Sequence, residues 1–68
     1  MNVKKLLGSK WTAVTPQNKE KHFTVIHTEY RRDGTVAVCR LEAALSKNAS
    51  SVDYRVLNDE SVWLAGWQ

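Results

Sequence analysis

Apolar and polar positions along this chain recur mostly with a period of two, and short polar clusters divide the runs. His22 to Tyr30 (HFTVIHTEY) is the longest stretch of β-branched and aromatic residues and predicts the strongest strand. Arg31-Arg32-Asp33-Gly34-Thr35 follows, and Asp-Gly between two apolar runs is a hairpin signal. Val36 to Leu45 (VAVCRLEAAL) is then the return strand. A two-residue Asp33-Gly34 loop sets Ile26 opposite Leu41 and Thr28 opposite Cys39. A three-residue loop with Gly34 at a bulge sets Val25 opposite Leu41 and His27 opposite Cys39. One residue of slip exchanges the two faces, and both registers stay open.

Before this hairpin, Lys10-Trp11-Thr12-Ala13-Val14 favours a strand, which Thr15-Pro16 is expected to end. Gln17 to Lys21 then reads as a helical turn capped by Thr15, or as a loop. After it, Ser46 to Ser51 is a polar turn, and Ser51 to Leu57 alternates Val52, Tyr54 and Val56 against Asp53 and Arg55 like a half-buried strand. Asn58 or Asp59 is placed to cap a short helical segment from Glu60 to Ala65, ended by Gly66. On that turn Trp63 and Trp67, four apart, point to similar sides. The expected fold is mainly β: a small SH3-like or related antiparallel barrel or curled sheet with a C-terminal helical turn. The alternative is α+β, with a helix near 40–47 where Leu41, Ala44 and Leu45 keep helical spacing.

Length sharpens this picture. The chain has 68 residues, of which 43% are hydrophobic. A chain of that size buries roughly 60% of its unfolded surface, so one domain over residues 1–68 is expected, with 1–9 as a flexible lead. It also falls short of the usual size of a self-contained enzyme. The net charge is +3, unevenly spread. Residues 1–22 hold Lys4, Lys5, Lys10, Lys19 and Lys21 against Glu20, whereas residues 51–68 hold Arg55 against Asp53, Asp59 and Glu60. A lone Cys39 makes no internal disulfide, and Met1 to Leu7 lacks the apolar run of a signal peptide. No stretch approaches the roughly 20 apolar residues of a membrane span. A cytoplasmic protein without membrane contact is expected.

Chemistry-bearing residues are sparse. His22, His27 and Cys39 are the good soft or borderline metal ligands, spaced by five and twelve residues. A structural zinc site wants four ligands with a close-spaced pair, and His22 and His27 are expected on opposite strand faces. Cys39 reads as a small buried hydrophobe. No G-x-S-x-G motif or P-loop occurs. No metal, no cofactor and no enzymatic activity are expected.

Tryptophan is the conspicuous residue type: Trp11, Trp63 and Trp67 make up half of the six aromatics. One reading closes the barrel with them, the Trp63–Trp67 pair folding over an open end near Trp11. The other gives Lys10, Trp11, Lys19, Lys21, His22 and Trp67 to a candidate binding surface. The block Lys10-Trp11-Thr12-Ala13-Val14-Thr15-Pro16, the stretch Lys19-Glu20-Lys21-His22-Phe23 and the closing Trp63-x-x-Gly66-Trp67 resemble the bacterial Trp-rich conserved hypothetical protein family, a domain of unknown function. The resemblance runs from about Lys5 to Trp67. Where that family has a Trp-Arg pair before a Leu, this chain reads Tyr54-Arg55-Val56-Leu57. It implies a small bacterial cytoplasmic protein and supplies neither a ligand nor catalytic residues.

Two functions follow as expectations. The first is a non-enzymatic interaction module that docks on an acidic protein partner or on itself. The alternative is RNA or single-stranded DNA binding through Lys4, Lys5, Lys10, Lys19, Lys21, Arg31 and Arg32 around an exposed Trp11.

Overall fold

The computed structural model describes residues 3–68. Five strands, β1 (Lys10–Gln17), β2 (Glu20–Tyr30), β3 (Val36–Ala43), β4 (Ala49–Ser51) and β5 (Trp63–Ala65), form one antiparallel sheet in the order β4-β3-β2-β1-β5. The sheet does not close, so β4 and β5 are its edges. Mainly β is therefore the observed class, and the residues near 40–47 contribute the end of β3 and a turn rather than a helix.

The β2–β3 hairpin contains both candidate registers. Arg31 N–H donates to the Thr35 carbonyl and Gly34 N–H to the Arg31 carbonyl, with Gly34 at φ +88°, which is a three-residue loop. Tyr30 accordingly opposes Val36. Ala37 is then an extra residue on β3, so Glu29 opposes Val38, Thr28 opposes Cys39 and His27 opposes Arg40. Ile26 is an extra residue on β2 and returns the pair to the first register, Val25 opposite Leu41. The two bulges cancel. They let Val36 and Cys39, three apart, both enter the core, and they leave Ile26 and His27 exposed. They also put His27 opposite the outward Arg40, so it shares the outer face with His22; the opposite-face expectation assumed an unbroken strand.

The chain does not leave the sheet at Pro16. β1 runs on to Gln17 and turns through Asn18 and Lys19 at φ 54° and 61°, the left-handed pair of a two-residue hairpin. Between Thr12 and Gln17, however, β1 advances five positions while β2 retreats only two, from His22 to Glu20. Pro16, which has no N–H to donate, lies in this unregistered stretch.

The buried cluster is Leu6, Trp11, Val25, Val36, Cys39, Leu41 and Leu57, on one face of the sheet. Leu6 corrects the expectation of a loose lead over 1–9. Its side chain is 1% exposed, its carbonyl accepts from Ser9 N–H and Oγ, and Gly8 N–H bonds the Val25 carbonyl. Met1 and Asn2, also assigned to that lead, fall outside the described residues.

The helical turn is present but displaced. It is a 3-10 turn over Tyr54–Asn58, where the alternation of Val52, Tyr54 and Val56 suggested a strand. Asp53 explains the displacement. Its carboxylate accepts from Arg55 N–H at 3.0 Å and from the Arg55 guanidinium at 2.6 Å, a local cap that competes with a ladder. Residues 60–65, expected to be helical, instead supply a turn and β5. Among the described residues, no helix is long and apolar enough to cross a membrane.

Candidate functional site

The three tryptophans have three different environments. Trp11 alternates into the core, 8% exposed, and its indole N–H donates to Ser9 Oγ at 2.8 Å, which in turn donates to the Leu6 carbonyl. It is therefore core and not part of an exposed surface, contrary to its place in the candidate set. Trp63 lies on the same face, edge-on to Phe23 with ring centroids 5.1 Å apart. Trp67 is 46% exposed and lies on the opposite face. A helical turn would have kept Trp63 and Trp67 together. Here Gly66, at φ +79°, redirects the chain after β5.

On that outer face Trp67 meets two of the other candidates. Its ring stacks on His22 with centroids 5.4 Å apart and 21° between planes, and Lys10 Nζ lies 5.2 Å from the ring centroid. Its indole N–H donates to the Phe23 carbonyl at 3.0 Å. Thr12 holds the same segment, donating to the Gly66 carbonyl at 2.7 Å and accepting from Gln68 N–H at 2.9 Å. Lys10, His22 and Trp67 are thus one cluster, packed around residues 66–68.

Lys19 and Lys21 do not join it. Lys19 is at the β1–β2 turn and Lys21 follows it at the start of β2, while the cation set over the Trp67 ring is Lys10. Arg31 and Arg32 lie beyond the far end of β2, roughly 30 Å along the strand from Lys21. The basic residues suggested for nucleic acid are spread over both ends of the sheet.

The concave face holds a feature that the candidate set missed. The core fills only part of that face. Beside it opens a cleft of about 450 Å³, floored by Phe23, Leu41, Val52 and Trp63. That volume is within the ~300–1,000 Å³ of ligand clefts. One wall carries Ala13 and Val62, next to β5, and the other carries Ser50 of β4, so both edges of the unclosed sheet face the same space. Glu20 is the ionisable side chain of the lining, among the described residues. Hydrogen bonds from Ser46, then from Asn48 at 3.0 Å, hold its carboxyl below its ordinary range, so the cleft mouth bears a fixed negative charge.

The three residues weighed as metal ligands are dispersed. His27 pairs with Glu29 at 2.9 Å, His22 stacks on Trp67, and Cys39 is fully buried, its thiol pushed up by desolvation. Of the cleft, only two signals were visible in the sequence. Phe23 sits in the strongest strand, and Pro16 marks where pairing must lapse.

The tryptophan blocks that suggested a family do so correctly. Residues 9–68 match a family model described as Tryptophan-rich protein (DUF2389), a domain of unknown function. No curated protein and no solved structure matches the chain.

Proposed function

The chain belongs to that tryptophan-rich family, and we propose that it is a protein-interaction module rather than an enzyme. One observation carries this reading: an apolar-floored cleft lies between the two edges of an open sheet. Aromatic side chains such as Phe23 and Trp63 anchor partners well, because they bring a large contact area with few rotatable bonds. The rim is built mainly from neutral polar groups, including Thr15, Gln17 and Ser50. Such a rim is suited to orienting a partner rather than transforming it.

Panning the purified chain against a displayed peptide library tests the proposal. Specific sequences should be enriched, and Ala13→Trp, which fills the cleft, should abolish the enrichment. No enrichment, or enrichment indifferent to Ala13→Trp, rejects it.

A second reading rests on Lys10 over the half-exposed Trp67 ring, a pairing suited to single-stranded nucleic acid or to an acidic segment. It predicts quenching of Trp67 by oligonucleotides, weakening steeply with salt and lost in Trp67→Phe. Against it, His22 and Lys10 already occupy the ring.

A further inference from the structure

We propose that the cleft takes an extended segment of a partner protein, which pairs as a sixth strand along β4 and carries a lysine or arginine toward Glu20. The inference rests on the interaction reading above and specifies its partner.

The first argument is backbone geometry. Ala43 N–H bonds the Asn48 carbonyl and Val52 N–H bonds the Cys39 carbonyl, so residues 48, 50 and 52 are turned toward β3. By the alternation of an antiparallel ladder, the N–H and C=O groups of Ala49 and Ser51 point away from it. All three residues of β4 are exposed, and none is charged or proline, the devices that usually blunt an edge.

The opposite edge is different. On β5 the outward groups include Trp63 N–H, which donates to the Asp59 carbonyl, and the Ala65 carbonyl, which accepts from Gln68 Nε2 at 2.9 Å. The chain itself thus takes up one outward group at each end of β5. An incoming strand is therefore better served by the edge of β4.

Side chains supply the second argument. A strand added beside Ala49–Ser51 presents alternate residues to the concave face. There an apolar side chain meets Phe23, Val52 and Trp63, buried beneath the new strand. Strand addition of this kind takes affinity from main-chain bonds and specificity from alternate side-chain pockets.

Charge selects the neighbouring residue. Glu20 lies at the cleft, and its Oε2 is occupied by Ser46 and Asn48. A cation from the partner complements this fixed carboxylate, whereas an acidic residue there is repelled. The preferred segment thus has an apolar residue and a lysine or arginine on the same face, two positions apart. The chemistry differs from the acidic partner that net charge alone suggests, because the ionisable side chain of the cleft lining, among the described residues, is a carboxylate.

The test uses the full chain and the peptides enriched by panning. Enriched sequences should carry the apolar-x-basic spacing, and replacing the basic residue by glutamate should weaken binding about tenfold or more, a difference that Glu20→Gln removes. On binding, amide exchange at Ala49 and Ser51 should slow at least about tenfold, as for amides that join a ladder. Ala49→Pro removes an outward N–H and no bond of the β3–β4 ladder. It should weaken binding while far-UV circular dichroism stays unchanged; if that variant unfolds, the exchange measurement still decides. Enriched peptides that bind without protecting Ala49 and Ser51, or that shift resonances around Lys10 and Trp67 instead, overturn strand addition and leave an interaction module standing. Protection at Ala49 and Ser51 that grows with chain concentration and no peptide identifies a second copy as the occupant, and also overturns the proposal. Failure to enrich any peptide rejects both readings.

Discussion

Leu6→Ala and Leu7→Ala remove the same atoms from adjacent residues, and their surroundings assign them opposite costs. Leu6 is 1% exposed and packs in the cluster with Trp11, Val25 and Leu57, whereas Leu7 is 58% exposed. Truncating a buried leucine costs about 2–5 kcal/mol, because the lost transfer energy is joined by a cavity the surroundings only partly fill. An exposed truncation away from special features stays within about 0.5 kcal/mol. A chain of 68 residues has a total stability on the order of 3–10 kcal/mol. Leu6→Ala should therefore remove a fifth or more of it, and at a urea slope of ~1 kcal/mol/M the midpoint should fall by roughly 2 M or more. Urea titration followed by tryptophan emission reads both variants, since Trp11 reports directly on the packing of Leu6. Midpoints that agree within about 0.5 M, or a larger loss for Leu7→Ala, would refute the docking of residues 6–9 into the core.

Three further outcomes are expected. Thr12→Val keeps the shape of a buried side chain but leaves the Gly66 carbonyl and Gln68 N–H without their partner, and should cost about 1–3 kcal/mol by urea titration, with faster amide exchange at Gln68; a change under about 0.5 kcal/mol would contradict the bonding described. Cys39 should resist alkylation by iodoacetamide at pH 8 in the folded chain and react promptly in urea, because burial keeps its thiol protonated and shielded; equal rates in the two conditions would contradict this. The Arg55 guanidinium and backbone N–H hold Asp53 at about 2 against an ordinary 3.8, so its contribution to the Tyr54–Asn58 turn is complete above the ordinary value and is lost as pH falls through about 2. Carboxyl carbon shifts in an NMR titration check this, and a midpoint at 3.8 or higher would remove the pairing.

What the sequence made legible was the local part of the fold. The longest strand, the Asp33-Gly34 turn and its return strand rest on composition and turn chemistry within a few residues, and each is present. The register was not legible, because it is set by two bulges, at Ile26 and Ala37, and either simple loop describes only one stretch of the hairpin. Residues 51–57 misled for another reason. Their alternation is that of a strand, yet the Asp53 carboxylate captures Arg55 N–H and starts a 3-10 turn. Lys10, His22 and Trp67 stand together among the candidate surface residues, while Trp11 keeps two readings, core or surface, because a lysine neighbour says nothing about which face of a strand a residue takes.

Pro16 links these points to function. Read locally, a proline ends a strand, since it lacks the ladder donor. In the sheet it does something more useful: β1 continues to Gln17, but between Thr12 and Gln17 it loses step with β2 and gains three residues on it. That slack carries the Ala13 wall of the cleft, in the stretch of β1 bonded to β5, where Val14 N–H meets the Val62 carbonyl at 2.9 Å. The proline is compatible with the open form because it sits where no bond to β2 is required. The chain takes up the Trp63 N–H and the Ala65 carbonyl of β5 with Asp59 and Gln68, while β4 keeps its outward groups. The asymmetry between the two edges, more than the number of tryptophans, is what gives the cleft a direction in which a partner strand can be added.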